Sequence, residues 1–412
     1  MLQNKKRDKQ IFCAFLMLLG FSLILRIIIG GAYFNDFDTY WYRNWVFDIQ
    51  QNGLFDVYSR ADIIELDYPP LYLFLLGVLG GLYRLFGNDC ADLWQMLLMK
   101  LWPIVFDILC AALLYRIFER RSGSSWGFVA GTLWLCNPSM LFNTAFWGQT
   151  DQLMCFLLIL AFYVLEQKRP VAACVLFAVA GLTKYQCLFF MPVLLLEIVR
   201  KYNIKEFFKG IGAAAATVAA VFLPFMIGAK DALLFFNVYL GGAGKYAYGT
   251  LNAFNLYGAL KLNWVEETMG VSIISTLFLI LAVLLLLILY VFGKRTCPWV
   301  AGLLFMQCLF ILTTRMHERY QVVVLPFALM AYLVHRKKSF LWLFSALSVI
   351  TAINQAFVLL PINLQGVPWD YNPVYDNVLM VFSIINVVIF VWSVYECVRF
   401  MCSKGEDEYV IC

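Results

Sequence analysis

Five short polar clusters hold the residues of this chain that could do chemistry. NDFDTYWYRNW (Asn35 to Trp45) carries Asp36 and Asp38, and DYPP (Asp67 to Pro70) carries Tyr68. WGQTD (Trp147 to Asp151) carries Trp147, Gln149 and Asp151, and LTKYQ (Leu182 to Gln186) carries Lys184 and Gln186. TTRMHERY (Thr313 to Tyr320) places Arg315, His317, Glu318 and Arg319 within five residues. Carboxylates at i and i+2 point apart on a strand and do not stack on a helix, so Asp36 and Asp38 make a poor acid/base pair. A single carboxylate acting as base on an attacking hydroxyl is the more economical chemistry. Two arginines and a histidine suit a phosphate group, because guanidinium makes bidentate bonds to it, and Lys184 adds a point charge.

The other clusters offer binding chemistry. Gly148 permits close backbone approach. Trp147 offers a stacking face, and Gln149 and Asp151 offer hydrogen bonds to a polar ligand; Asp151 also reads as the capped start of a helix. The two prolines of DYPP forbid a helix immediately before them, so Tyr68 sits at a rigid turn and could shape a cavity wall. Gln186 and Glu318 complete the set of candidate substrate contacts. The D-x-D spacing is also that of motifs that hold a metal against a nucleotide diphosphate. HExxH is absent, which removes the zinc-protease reading, and the chain offers no serine–histidine–carboxylate grouping for a serine hydrolase.

The stretches between these clusters must position them, and they are apolar. The chain has 412 residues, 63% hydrophobic and 14% charged, with a mean hydropathy of +0.78. A soluble domain carries about 25% charged residues, so this chain needs lipid as solvent, and lipid accepts only helices or closed barrels. The apolar runs are continuous rather than alternating, which selects helices. Spans are expected near 11–30, 97–118, 126–143, 151–166, 170–184, 186–199, 210–228, 271–293, 298–313, 320–335, 340–360 and 377–400. The first is read as an uncleaved anchor, since the run is long, Arg26 lies near its end and no clear small-x-small cleavage site follows.

With the N-terminus inside, most Lys and Arg fall in inner loops, as the positive-inside rule demands. Both termini are then cytoplasmic, and the five clusters converge on the outer face. Residues 69–86 are apolar enough to cross, but a crossing there would invert every later loop; they are expected to form an interfacial or re-entrant helix. The reading is one all-α membrane domain over 1–412, with outer loops at 31–96, 229–270 and 361–376. The twelve cysteines are scattered, without metal-ligand spacing or a disulfide framework. The net charge of +5 lies in short clusters between spans, and no nucleic-acid partner is expected.

An acidic residue just after the first span, then DYPPLY, WGQTD, LTKYQ and MHERY in order, resembles the bacterial branch of a mannosyltransferase family. Its eukaryotic member adds the second mannose of the glycosylphosphatidylinositol anchor, and its wider class is the GT-C glycosyltransferases. The resemblance runs from about residue 30 to 335. It implies a polyprenyl-phosphate sugar donor, typically mannose, a lipid or glycan acceptor, and chemistry on the outer face of the cell membrane. It makes the acidic residue of the first outer loop the base, Asp36 by position with Asp38 as fallback, and places His317 and its neighbours at the donor phosphate. Such chemistry needs no cofactor and leaves room for a divalent metal. Two rival readings are a lipid or solute transporter, which requires charges near mid-bilayer, and a non-catalytic lipid-binding subunit.

Overall fold

The computed structural model describes residues 2–33, 38–86, 92–244, 246–365 and 373–403. It is 83% helical, and the described residues form isolated bridges but no strand. In chain order the helices that matter are α1 (Leu2–Ala32), α2 (Asp38–Asn52), α3 (Pro70–Phe86), α4 (Leu101–Ser122), α5 (Ser124–Leu135), α6 (Asp151–Glu166), α7 (Pro170–Thr183), α8 (Met191–Lys201), α9 (Ile204–Ala229), α10 (Leu234–Gly244), α11 (Met269–Phe292), α12 (Pro298–Leu312), α13 (Val324–His335), α14 (Lys338–Gln365) and α15 (Pro373–Cys402). Six of these, α1, α4, α9, α11, α14 and α15, are long and apolar enough to cross a membrane. This is a membrane protein. The other six expected spans correspond to shorter helices or helix fragments; α7 and α12, for example, have 14 and 15 residues.

The chain forms two compact units, Met1–Leu188 with Phe208–Lys245, and Phe189–Phe207 with Tyr246–Cys412. In the first, α2 buries Tyr42, Trp45, Val46 and Ile49, the i, i+3, i+4, i+7 stripe of an amphipathic helix. It packs on α3, which buries Tyr72, Leu76, Leu79 and Tyr83 completely and leaves Val78 and Leu85 exposed. The segment expected to be interfacial or re-entrant is thus a continuous helix of 17 residues, about 25 Å long at 1.5 Å per residue. Pro70 opens it, so the DYPP turn sets where it starts.

The expected span 126–143 is broken. Helix α5 ends at Leu135, and Asn137, extended at ψ 119°, accepts from the Ser139 amide with its side chain and caps a new turn beginning at Pro138. Proline excludes the residue before it from helix, which is why the apolar run does not continue. A π-helical turn, Phe142–Trp147, comes next and leads into the WGQTD segment.

In the second unit α12 is buried on every side from Pro298 to Ile311, the pattern of a central helix. Its basic segments gather at one end. The amides of Lys294 and Arg295 donate to Met401 O, and His335 packs 4.4 Å from the Phe400 ring. The expected outer loop 229–270 contains α10 and then a segment from Tyr246 to Thr268 that is irregular apart from one helical turn, Leu256–Ala259. Of the expected loop 361–376, residues 361–365 belong to α14 and residues 373–376 to α15.

Candidate active site

In the first unit the site grows from α2, α3, the π-turn, the start of α6 and the turn after α7. Asp36 lies outside the described residues. Asp38 opens α2, and its Oδ2 accepts from the Trp147 indole N–H at 2.5 Å. Trp147 is 3% exposed, so its ring is interior and its N–H orients the carboxylate. Four rings line the same place. Tyr42, Trp45, Tyr68 and Tyr72 pack with centroids 5.3–5.8 Å apart, mostly tilted or edge-on as ring quadrupoles prefer. The Tyr42 and Tyr68 hydroxyls lie 2.8 Å apart, and Tyr42 donates to Gln149 Oε1 at 3.3 Å. Burial above all, then Tyr68 and Asp38, pushes the Tyr42 phenol well above its ordinary value. It therefore serves as a donor and not as a base. Gln149 is fully buried, and its Nε2, like Gln186 Oε1, has no partner among the described residues.

Asp151 does not cap its helix. Thr150 is the N-cap residue and makes no side-chain bond. The Asp151 carboxylate instead accepts from Asn143 Nδ2 at 2.9 Å and forms a buried ion pair with Lys184. The lysine expected at a phosphate thus has its ammonium on a carboxylate inside the protein, 5.8 Å over the Tyr68 ring.

Charges also pair inside the expected spans. Asp107, six residues into α4, pairs with Arg26 of α1 at 2.6 Å, and both are buried. The Trp134 indole donates to Asp107 Oδ1 at 2.6 Å and Thr144 of the π-turn to Oδ2 at 3.3 Å. Arg26 also donates to Ser22 O and Leu135 O. With both charges partnered, the cluster holds α1, α4, α5 and the π-turn together. Gly148, just beyond that turn, has φ +83°, and a Cβ there would meet Lys100 Cγ at 3.0 Å and Thr39 Cγ2 at 3.4 Å. Only glycine combines that backbone with that approach.

In the second unit Thr313–Arg319 of TTRMHERY form a non-helical turn after α12, and Tyr320 opens a 3-10 turn that leads into α13. Its backbone pairs with the Tyr246–Thr268 segment: Leu251 N donates to Met316 O, Glu318 N to Leu251 O, and Arg315 N to Tyr248 O. Buried amides brace that segment from behind, Asn354 of α14 donating to Asn252 O and Asn386 of α15 to Phe254 O, each at 2.7 Å. Arg315, in the left-handed region at φ 62°, pairs with Glu267 at 2.6 Å. Arg319 pairs with Glu318 at 2.9 Å. The His317 ring packs between Tyr246 and Tyr320, at 5.3 and 5.0 Å. Sequence reading missed Glu267, which lies 48 residues from its partner and offsets one of the two cations.

Among the described residues, no group of three or more His, Cys, Asp or Glu is placed to hold a metal ion. Residues 66–312, more than half of the chain, match the family model for glycosyltransferase family 87. The chain belongs to glycosyltransferase family 87. As a member of family 87 it is a GT-C-type glycosyltransferase, with a sugar donor and an acceptor. The matched stretch of this family 87 chain includes Tyr68, Trp147, Gln149, Asp151, Lys184 and Gln186, and it stops short of Asp38 on one side and Arg315 on the other. No curated protein matches the chain.

Proposed function

We propose that this family 87 enzyme is an inverting hexosyltransferase that moves mannose from a polyprenyl-phosphate donor to a hydroxyl of a lipid or glycan acceptor on the outer face of the cell membrane. The observation that carries the reading is Asp38, a carboxylate held at 2.5 Å by a buried indole beside a tyrosine-lined, amide-bearing cluster in a chain of this family. One carboxylate of the acidic segment, Asp36 or Asp38, takes the acceptor proton as the acceptor oxygen attacks the anomeric carbon. The bond from that carbon to the phosphate oxygen breaks, its electron pair leaves with the polyprenyl phosphate, and the anomeric centre inverts. Arginine and histidine stabilise the charge that develops on the leaving phosphate, and Arg315, Arg319 and His317 are the cations assigned to it. A lipid donor also fits the setting, because its chain stays in the bilayer. Transport is the weaker reading: the intramembrane charges Arg26 and Asp107 bond to each other and to Ser22, Leu135, Trp134 and Thr144, whereas a pathway needs groups that exchange partners.

The test is a choice of donor. Purified protein in lipid nanodiscs receives radiolabelled polyprenyl-phosphate-mannose or radiolabelled GDP-mannose, with crude membrane lipids as acceptors. Label is expected to move from the lipid donor alone. Transfer from the nucleotide sugar would overturn the donor assignment and revive the D-x-D metal reading.

A further inference from the structure

Lys100 is fully buried at the N-cap position of α4, and the proposed transfer chemistry does not use it. Its ammonium donates three hydrogen bonds, all to backbone carbonyls: Tyr33 O at 2.5 Å, Ala145 O at 2.8 Å and Phe146 O at 2.9 Å. These acceptors share a property. Tyr33 lies just past the last turn of α1, its amide bonded back to Ile29 O, and Ala145 and Phe146 are in the last residues of the π-turn. Terminal carbonyls of a helix have no acceptor role inside it and carry its negative dipole end. One cation therefore closes two helical C-termini at once. Three N–H groups meet three carbonyls, which only the protonated amine can satisfy in full.

The candidate site begins just beyond those two helical ends. Tyr33 precedes Asp38 by five residues, and Phe146 directly precedes Trp147, whose indole holds Asp38. We infer that Lys100 is a positioning residue: it fastens the end of α1 to the π-turn, and so sets the Asp38 carboxylate against the Trp147 indole. Its stem runs beneath Gly148, so the same side chain fixes the turn that leads to Gln149. The inference rests on the reading that the acidic segment supplies the base. A methionine of similar volume keeps the packing and removes every donor; an arginine keeps the charge and several donors.

Lys100→Met and Lys100→Arg are compared with wild type by hydrogen exchange and by transfer kinetics with polyprenyl-phosphate-mannose. Lys100→Met is expected to speed exchange about tenfold over residues 38–44 and 142–149, with α12 unchanged. It should lower kcat about 100-fold, the cost of misplacing a reacting group by about 1 Å, with KM for the donor little changed. Lys100→Arg should recover most of both. Unchanged exchange in the two segments, faster exchange with unchanged kcat, or loosening that extends equally to α12 would each overturn the inference. If wild type transfers nothing from this donor, the donor assignment falls, while the exchange measurement still decides whether Lys100 joins the two segments.

Discussion

The acidic cluster of the first unit and the cationic turn of the second use charge in opposite ways. In the first, charges are buried and fully engaged: Lys184 with Asp151, both at most 4% exposed, and Lys100 on three carbonyls. In the second, Arg315 is 39% exposed while its partner Glu267 is 4% exposed. A buried pair has given up its hydration and cannot change partner cheaply. A half-exposed arginine keeps part of its donor fork open to water. The first region is therefore built to hold geometry, while the second keeps one cation partly open to water, as the phosphate proposed for it would require. A count of cations in sequence leaves out their partners: Arg315 and Arg319 each arrive with a carboxylate.

Substitutions can break this contrast. The largest stability effect is expected for Lys184→Met, which strands the buried Asp151 carboxylate and should cost about 3–5 kcal/mol, read as a lowered thermal midpoint in detergent. A loss below about 1 kcal/mol, the surface-pair value, would show that this pair is not a buried one. Next come Arg315→Ala and Arg319→Ala. Each should raise KM for the lipid donor about tenfold, about 1.4 kcal/mol, with a smaller effect on the thermal midpoint than Lys184→Met. Stability loss without a KM change would make the second region structural as well. The smallest effect is expected for Tyr42→Phe, which removes a donor to Gln149 and the contact with the Tyr68 hydroxyl. It should cost about 0.5–1.5 kcal/mol and leave the pH dependence of transfer unmoved, because the Tyr42 phenol stays protonated. A shifted pH profile would make Tyr42 part of the proton path.

Much of the scaffold was legible because hydrophobic length and breakers are local. The ends of α6 and α7 fall within a residue of the expected 151–166 and 170–184, since Asp151 and Pro170 mark the starts. The break after α5 was also written in the sequence, as Asn137–Pro138, but the apolar run through it outweighed the signal. The site was legible as residue types and not as partnerships. Asp107 and Lys100 sit inside an apolar run, and nothing local ties them to Arg26, 81 residues away, or to carbonyls 67 and 45 residues away. Backbone carbonyls carry no sequence signature, so a lysine that bonds only to them cannot be distinguished from one that meets a phosphate. Trp147 offered both a stacking face and an N–H, and only burial selects the N–H.

The central claim is that a carboxylate of the acidic segment is the base of a sugar transfer. The most direct measurement is transfer from radiolabelled polyprenyl-phosphate-mannose by wild type, Asp36→Asn and Asp38→Asn, each first shown to keep the wild-type thermal midpoint. One of the two variants is predicted to lose about 10²–10⁴-fold in kcat, the contribution of general base catalysis, with donor KM little changed. Wild-type rates from both variants would contradict the claim.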